Sequence, residues 1–177
     1  MKKIAFAAIL AAASFATIAQ PYVELGYSAV TLKASDGGNS IKANPNMLGV
    51  TVGYDVHPNV AVEGMFAFGV RDSSVKFNGS TLPLEVKINN TYGLFVKPKV
   101  KLGESFEVFG RLGYAKTKLT ISGFGESLSE SEGEFAYGVG ANYYINKTTY
   151  ITGNYMNFYN KNDTKINAFT VGLGYRF

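Results

Sequence analysis

Eight times after residue 20 the chain runs for about ten residues with apolar side chains alternating against small or charged ones. Period two puts the two sets on opposite faces of a strand, so each run reads as a β-strand with one greasy face. The first run sets Val23, Leu25, Tyr27 and Ala29 against Tyr22, Glu24, Gly26 and Ser28. The second sets Leu48, Val50, Val52, Tyr54 and Val56 against Gly49, Thr51, Gly53, Asp55 and His57. In the third, Val60, Val62, Phe66, Phe68 and Val70 oppose Glu63, Met65, Gly69 and Arg71. The fourth places Tyr92, Leu94, Val96 and Val100 against Thr91, Gly93, Lys97 and Lys99, and the fifth places Phe106, Val108, Leu112 and Tyr114 against Glu107, Arg111 and Gly113. In the sixth, Phe135, Tyr137, Val139, Ala141, Tyr143 and Ile145 oppose Ala136, Gly138, Gly140 and Asn142. The eighth, TVGLGYRF, sets Val171, Leu173, Tyr175 and Phe177 against Thr170, Gly172, Gly174 and Arg176. The seventh, TYITGNYMNFY, is mixed on both faces: Ile151, Gly153 and Tyr155 are the preferred outward set, but a two-residue turn at Asn146 and Lys147 favours Tyr150, Thr152 and Met156.

The joins alternate in length. HPN, KLGES and NKT are short, whereas KASDGGNSIKANPN, DSSVKFNGSTLPLEVK, TISGFGESLSESEGE and NKNDTKIN are longer and polar. Short turns at one end and long loops at the other, on strands of about ten residues, are what a bilayer-crossing barrel needs.

A soluble lipocalin-like barrel or a β-sandwich would instead bury the greasy face and turn the other to water. That other face carries Gly26, Gly49, Gly53, Gly69, Gly93, Gly113, Gly138, Gly140, Gly172 and Gly174. Glycine weakens a solvated strand by up to about 1 kcal/mol, but inside a narrow barrel it leaves room for large neighbours. Tyr27, Tyr54, Phe106, Tyr143, Tyr175 and Phe177 lie near strand ends on the greasy face, where interfacial girdles belong. In lipid every backbone group needs a partner, so the strands must close. The fold expected is all-β, an eight-stranded antiparallel up-and-down transmembrane β-barrel. Pro98 strains that reading, because it removes a ladder donor from the fourth strand.

The first residues, MKKIAFAAILAAASFATIA, have two lysines, an apolar run and small residues before Gln20. The pattern predicts a signal peptide over 1–19, cleaved after Ala19, and one barrel domain over 20–177. Removing Lys2 and Lys3 from 17 basic side chains leaves 15 against 13 acidic ones, a net +2. No dense basic patch argues for nucleic acid. With no cysteine, an exported chain has no disulfide framework, and stability must come from the fold.

With GLGYRF closing the eighth run on Phe177, the chain resembles the small eight-stranded outer-membrane proteins of Gram-negative bacteria, such as outer-membrane protein X and related porin-family barrel domains. The resemblance covers everything after the signal. It implies that Val171, Leu173, Tyr175 and Phe177 form a signal read by the barrel assembly machinery, and that the chain sits as a monomer among outer-membrane lipid and lipopolysaccharide.

Inward-facing charges gather toward the short-turn half: Glu24, Asp55, Glu63 and Glu107 against Lys97, Lys99, Arg111 and Arg176. They are expected to form a lumen network that rigidifies the barrel, eight strands leaving space for side chains only. A narrow pore for ions or small solutes is the alternative. A KLGES turn centred on Gly103 would set Lys99 opposite Glu107. For catalysis, the one histidine, His57, stands beside Pro58 in a short turn, at the wrong end for a Ser–His lipid deacylase, and no carboxylate pair marks a cleft. A lipid-modifying enzyme is therefore the weakest reading. No cofactor or metal is expected. Glu126, Glu130, Glu132 and Glu134 lack the aspartate pattern of a calcium loop and read as a solvated, mobile surface loop. The function expected is a non-enzymatic barrel that supports the envelope and offers its long loops to a surface ligand or in adhesion.

Overall fold

The computed structural model describes residues 20–36, 38–123, 126–161 and 163–177; the expected signal peptide, 1–19, lies outside them. The described regular elements are ten antiparallel strands: β1 Pro21–Asp36, β2 Asn39–Ala43, β3 Asn46–His57, β4 Val60–Arg71, β5 Ser73–Phe77, β6 Ser80–Leu102, β7 Phe106–Gly123, β8 Glu126–Tyr144, β9 Thr149–Lys161 and β10 Thr164–Arg176. Eight of them, β1, β3, β4, β6, β7, β8, β9 and β10, pair in that order and close where β10 meets β1, from Tyr22↔Arg176 to Ala34↔Thr164. Closure leaves no free edge in the membrane zone, as lipid demands.

The two extra strands belong to the long joins. β2 pairs with the far half of β1, from Leu32↔Ala43 to Asp36↔Asn39, and β5 pairs with both β2 and the start of β6. The β7–β8 ladder continues to Gly123↔Glu126. The stretch read from sequence as a mobile acidic loop is therefore the end of a β-hairpin. Strand alternation carries on through the polar residues, and sheet register rather than hydrophobicity sets where the strands stop. β8–β9 pairing ends at Tyr137↔Asn157, so the extended part of β8 has a free edge facing β9.

Facing follows the alternation. Leu25, Val52, Phe66, Leu94, Leu112, Tyr114, Val139, Leu173 and Phe177 are all exposed, as lipid-facing side chains of a lone barrel must be. β9, which the sequence left open, exposes Ile151 and Tyr155 and buries Tyr150, Thr152 and Met156. The reason is the turn. Residues 145–148 make a four-residue connection in which Asn146 Oδ1 accepts from the Thr148 and Thr149 amides, setting Tyr144 opposite Tyr150.

Glycine has a specific partner on the inner face. Tyr22 is directly opposite Gly53, Phe95 opposite Gly113, Phe109 opposite Gly140 and Tyr150 opposite Gly174. Each ring occupies the volume a Cβ on its glycine would claim. Four cross-strand aromatic–glycine pairs thus fill the lumen while letting the wall curve. Pro98 is accommodated next to the β3–β4 turn: β6–β7 pairing lapses between Val96↔Leu112 and Lys99↔Phe109, while the Lys99 amide bonds Asn59 O at 2.9 Å.

Placing arginine at Val52 or Phe66 should cost about 2–4 kcal/mol if these residues face mid-bilayer lipid. Arginine at Gly140 should destabilise by clashing with Phe109 and Asn154 inside. Urea unfolding of the barrel in lipid vesicles measures all three.

Candidate functional site: the filled lumen

From the short-turn end, inward parity brings eight charged side chains from six strands into two balanced groups. In the first, Arg111 on β7 donates from Nε to Glu63 Oε2 at 2.6 Å and from Nη2 to Glu24 Oε2 at 2.5 Å. Lys97 Nζ sits 3.1 Å from Glu24 Oε1 and 3.2 Å from Glu63 Oε1. Tyr22 and Tyr150 hydroxyls donate to Glu63 and Glu24 at 2.7 and 3.0 Å. Beneath the two cations lies the Phe109 ring, 4.2 Å from Lys97 Nζ and 4.9 Å from Arg111 Cζ.

The second group is nearer the turns. Lys99 Nζ is 2.6 Å from Asp55 Oδ1, and Arg176 on β10 pairs with the other oxygen of Asp55. Glu107 accepts from Asn142 at 2.9 Å and from Tyr144 at 3.3 Å, with Lys99 Nζ 3.7 Å away. The residue directly opposite Glu107 is Lys101, so Lys99 reaches it diagonally. The expected facing of Lys99 and Glu107 is corrected here. Residues 103–105 form a three-residue turn centred one position later than Gly103.

Two carboxylates meet two cations in each group, so neither carries net charge. All eight residues are buried. Desolvating that many ions is costly, and only near-complete pairing offsets it.

Above it the lumen turns apolar. Val30, Met47, Ala67, Ile88, Phe95, Ala115, Ala136, Met156, Phe158, Ile166 and Ala168 form one buried cluster. The sequence reading missed this plug: Ile166 and Ala168 lie outside the alternating runs, Ile88 sits beside the β6 irregularity before Asn90, and the other members are scattered one or two to a strand. Its signal was apolar residues such as Val30 and Ile166 with inward parity. Between plug and network is a cavity of about 30 Å³ lined by Glu24, Thr51, Glu63, Phe95, Arg111 and Thr152 among others. That is room for about one water molecule, too little for a channel. His57 stays at the β3–β4 turn, its Nδ1 accepting from the Asn59 amide at 3.1 Å. Among the described residues no group of His, Cys, Asp and Glu is arranged to hold a metal.

A closed barrel with lipid-facing apolar strands and a filled lumen matches one family over nearly its whole length. The outer membrane protein beta-barrel domain model covers residues 4–177. The chain belongs to that family. It is an outer-membrane β-barrel, anchored by its strands. Its relatives include the attachment invasion locus protein of Yersinia enterocolitica, 27% identical over 184 residues that cover 100% of both chains. The crystal structure of Ail, the attachment invasion locus protein of Yersinia pestis, matches with a TM-score of 0.65 at 25% identity, over 91% of this chain and 100% of that one. Ail in complex with the heparin analogue sucrose octasulfate shares the fold, with a TM-score of 0.66 at 23% identity and the same coverage.

Replacing Arg111 with methionine leaves Glu24 and Glu63 with Lys97 as their one cationic neighbour, and should cost about 3–5 kcal/mol. Adding Glu63→Gln should recover a measurable part. Unfolding midpoints of the two variants, compared in one vesicle system, test the coupling.

Proposed function

We propose that this outer-membrane barrel is a non-conducting, non-enzymatic surface protein that supports the envelope and makes contacts outside the cell through the sheet extending beyond its membrane zone. The observation that carries the reading is the division of the molecule. The lumen is filled by paired charges and an apolar plug, while β1, β2, β5, β6, β7 and β8 continue as an ordered extramembrane sheet. A barrel built for passage needs a wet lumen. One built for contact needs a rigid, projecting platform.

The names of the relatives, attachment and invasion proteins rather than enzymes, support the same reading. A polyanionic glycan is one class of surface ligand consistent with it, since the Yersinia pestis protein has been solved with a heparin analogue. No lipid hydrolysis is assigned, because His57 lies at the turn end, away from the outer leaflet where a deacylase base must work.

Three further elements belong to this reading. Residues 1–19 serve as a cleaved export signal. Val171, Leu173, Tyr175 and Phe177 are read by the barrel assembly machinery as β10 closes onto β1. The folded chain works as a monomer surrounded by lipid and lipopolysaccharide.

Expression in a non-adherent Gram-negative host should raise attachment to epithelial monolayers. Cutting the β7–β8 hairpin back to a short turn near Lys116 and Gly133 should remove the gain while the band shift between unboiled and boiled samples persists. Single-channel steps from the purified wild-type barrel in planar bilayers would sink the closed-lumen reading. Deleting Phe177 should lower the fraction inserted in the outer membrane, measured by fractionation of the expressing cells.

A further inference from the structure

At the short-turn end three pieces of chain meet on one arc of the rim: residues 103–105 between β6 and β7, residues 145–148 between β8 and β9, and the end of β10. Backbone bonds join them. The Tyr144 amide donates to Ser105 O at 2.8 Å, and the Arg176 amide to Thr148 O at 2.8 Å. Within the second connection Asn146 Oδ1 accepts from the Thr148 amide, the Thr148 hydroxyl and the Thr149 amide at 2.9, 3.0 and 2.7 Å. The arc is a fixed scaffold, and it walls an open depression of about 640 Å³.

The charges around this depression do not cancel. Lys101 and Lys147 line it, both exposed, and neither makes an ion pair among the described residues. Lys101 Nζ instead stands 6.0 Å from the centre of the Tyr144 ring. Glu104 supplies the carboxylate of the wall. Deeper in lies Arg176, which is buried. Its Nη1 bonds Asp55 and Gln20, and its Nη2 bonds the Tyr144 hydroxyl at 3.1 Å, but its Nε is buried without a partner. An unpaired buried donor is costly, and it marks a place where an acceptor belongs. The neighbouring lumen group of Asp55, Lys99, Glu107 and Arg176 is neutral by itself, so the two lysines are surplus to it.

Position decides what can reach the site. Short turns of such barrels face the periplasm. Lys101 and Tyr144 have the inward parity of buried Lys99 and Asn142, whereas exposed Phe106, Tyr143, Tyr175 and Phe177 occupy the outward positions beside them. The aromatic girdle thus stands between the depression and the lipid headgroups. Two surplus ammonium groups and a guanidinium, against one carboxylate, suit a ligand with at least two free carboxylates and one free amine. In the periplasm the polymer with that chemistry is the cell wall, through its peptide stems.

We propose that the depression built on Lys101, Lys147 and Arg176 binds the carboxylate-bearing peptide stems of the cell wall. The proposal rests on the envelope-supporting part of the function above, gives it a contact on the periplasmic side, and does not depend on adhesion.

The test is cosedimentation of the mature barrel, in phosphatidylcholine nanodiscs, with purified cell-wall sacculi. A variant carrying Lys101→Gln and Lys147→Gln is compared with a control carrying Lys87→Gln and Lys118→Gln at the long-loop end; band-shift assays confirm that both fold. Wild type should bind in a salt-sensitive way, the rim variant should weaken by about fivefold or more, and the control should stay near wild type. Amidating the carboxylates of the sacculi should abolish wild-type binding, and binding that survives amidation would overturn the ligand class. Equal weakening of both variants would mean a response to net charge and would overturn the site, as would undiminished binding by the rim variant. A rim variant that loses binding to phosphatidylglycerol vesicles but keeps sacculi would assign the lysines to lipid phosphates and overturn the proposal. Absence of wild-type binding, in cells that still gain detergent resistance from the barrel, would overturn the site and leave the envelope reading standing.

Discussion

Everything in this molecule depends on β10 finding β1. In hydrocarbon an unpaired amide costs several kcal/mol, and an open eight-stranded sheet would expose two edges full of them. The thirteen-residue ladder from Tyr22↔Arg176 to Ala34↔Thr164 removes both edges at once. The aromatic, lipid-facing end of β10 lies along this seam, with Tyr175 opposite Val23. The last strand gives β1 its second partner, and Phe177 N still bonds Pro21 O at 3.0 Å beyond the ladder.

Closure then dictates the interior. Eight strands leave too little space for a channel, so whatever faces inward must pack against whatever faces inward from the opposite wall. Two solutions are stacked along one axis. Near the turns, carboxylates and cations cancel in two groups, capped by tyrosine hydroxyls. Toward the outside, aliphatic and aromatic side chains make a dry plug. Glycines on one strand make room for rings on the next, so the filling is written into neighbouring strands as pairs.

Outside the bilayer the constraint relaxes and a different economy applies. Strands of unequal length continue upward, β6 for 23 residues and β7 for 18, because water satisfies the edges that lipid would not. Short β2 and β5 knit β1 to β6. The result is a curved sheet with an apolar inner patch of Ala43, Val75 and Val86 and a polar, lysine-bearing outer face. A platform held by backbone ladders keeps its charges at fixed spacing, which loose loops cannot.

Much of this was legible in the residues. Alternation gave the eight membrane strands and their lipid faces, because a side-chain period of two with one apolar set has few physical solutions at that length. The inward charges were legible by parity. Which charge meets which was not: Arg111 joins Glu24 and Glu63 across the lumen, and Lys99 reaches Glu107 only diagonally, since turn length shifts register by amounts that sequence leaves open. The facing of β9 waited on the same kind of detail, the turn at 145–148. Polar joins concealed β2, β5 and the ends of β7 and β8, because a strand in water needs no greasy face to announce it. By itself the sequence determined a closed barrel and its two faces, which follow from local periodicity and the demands of lipid. Only tertiary structure decided the pairing of charges and the plug, because those arise from register between strands distant in sequence, 138 positions apart at Val30 and Ala168.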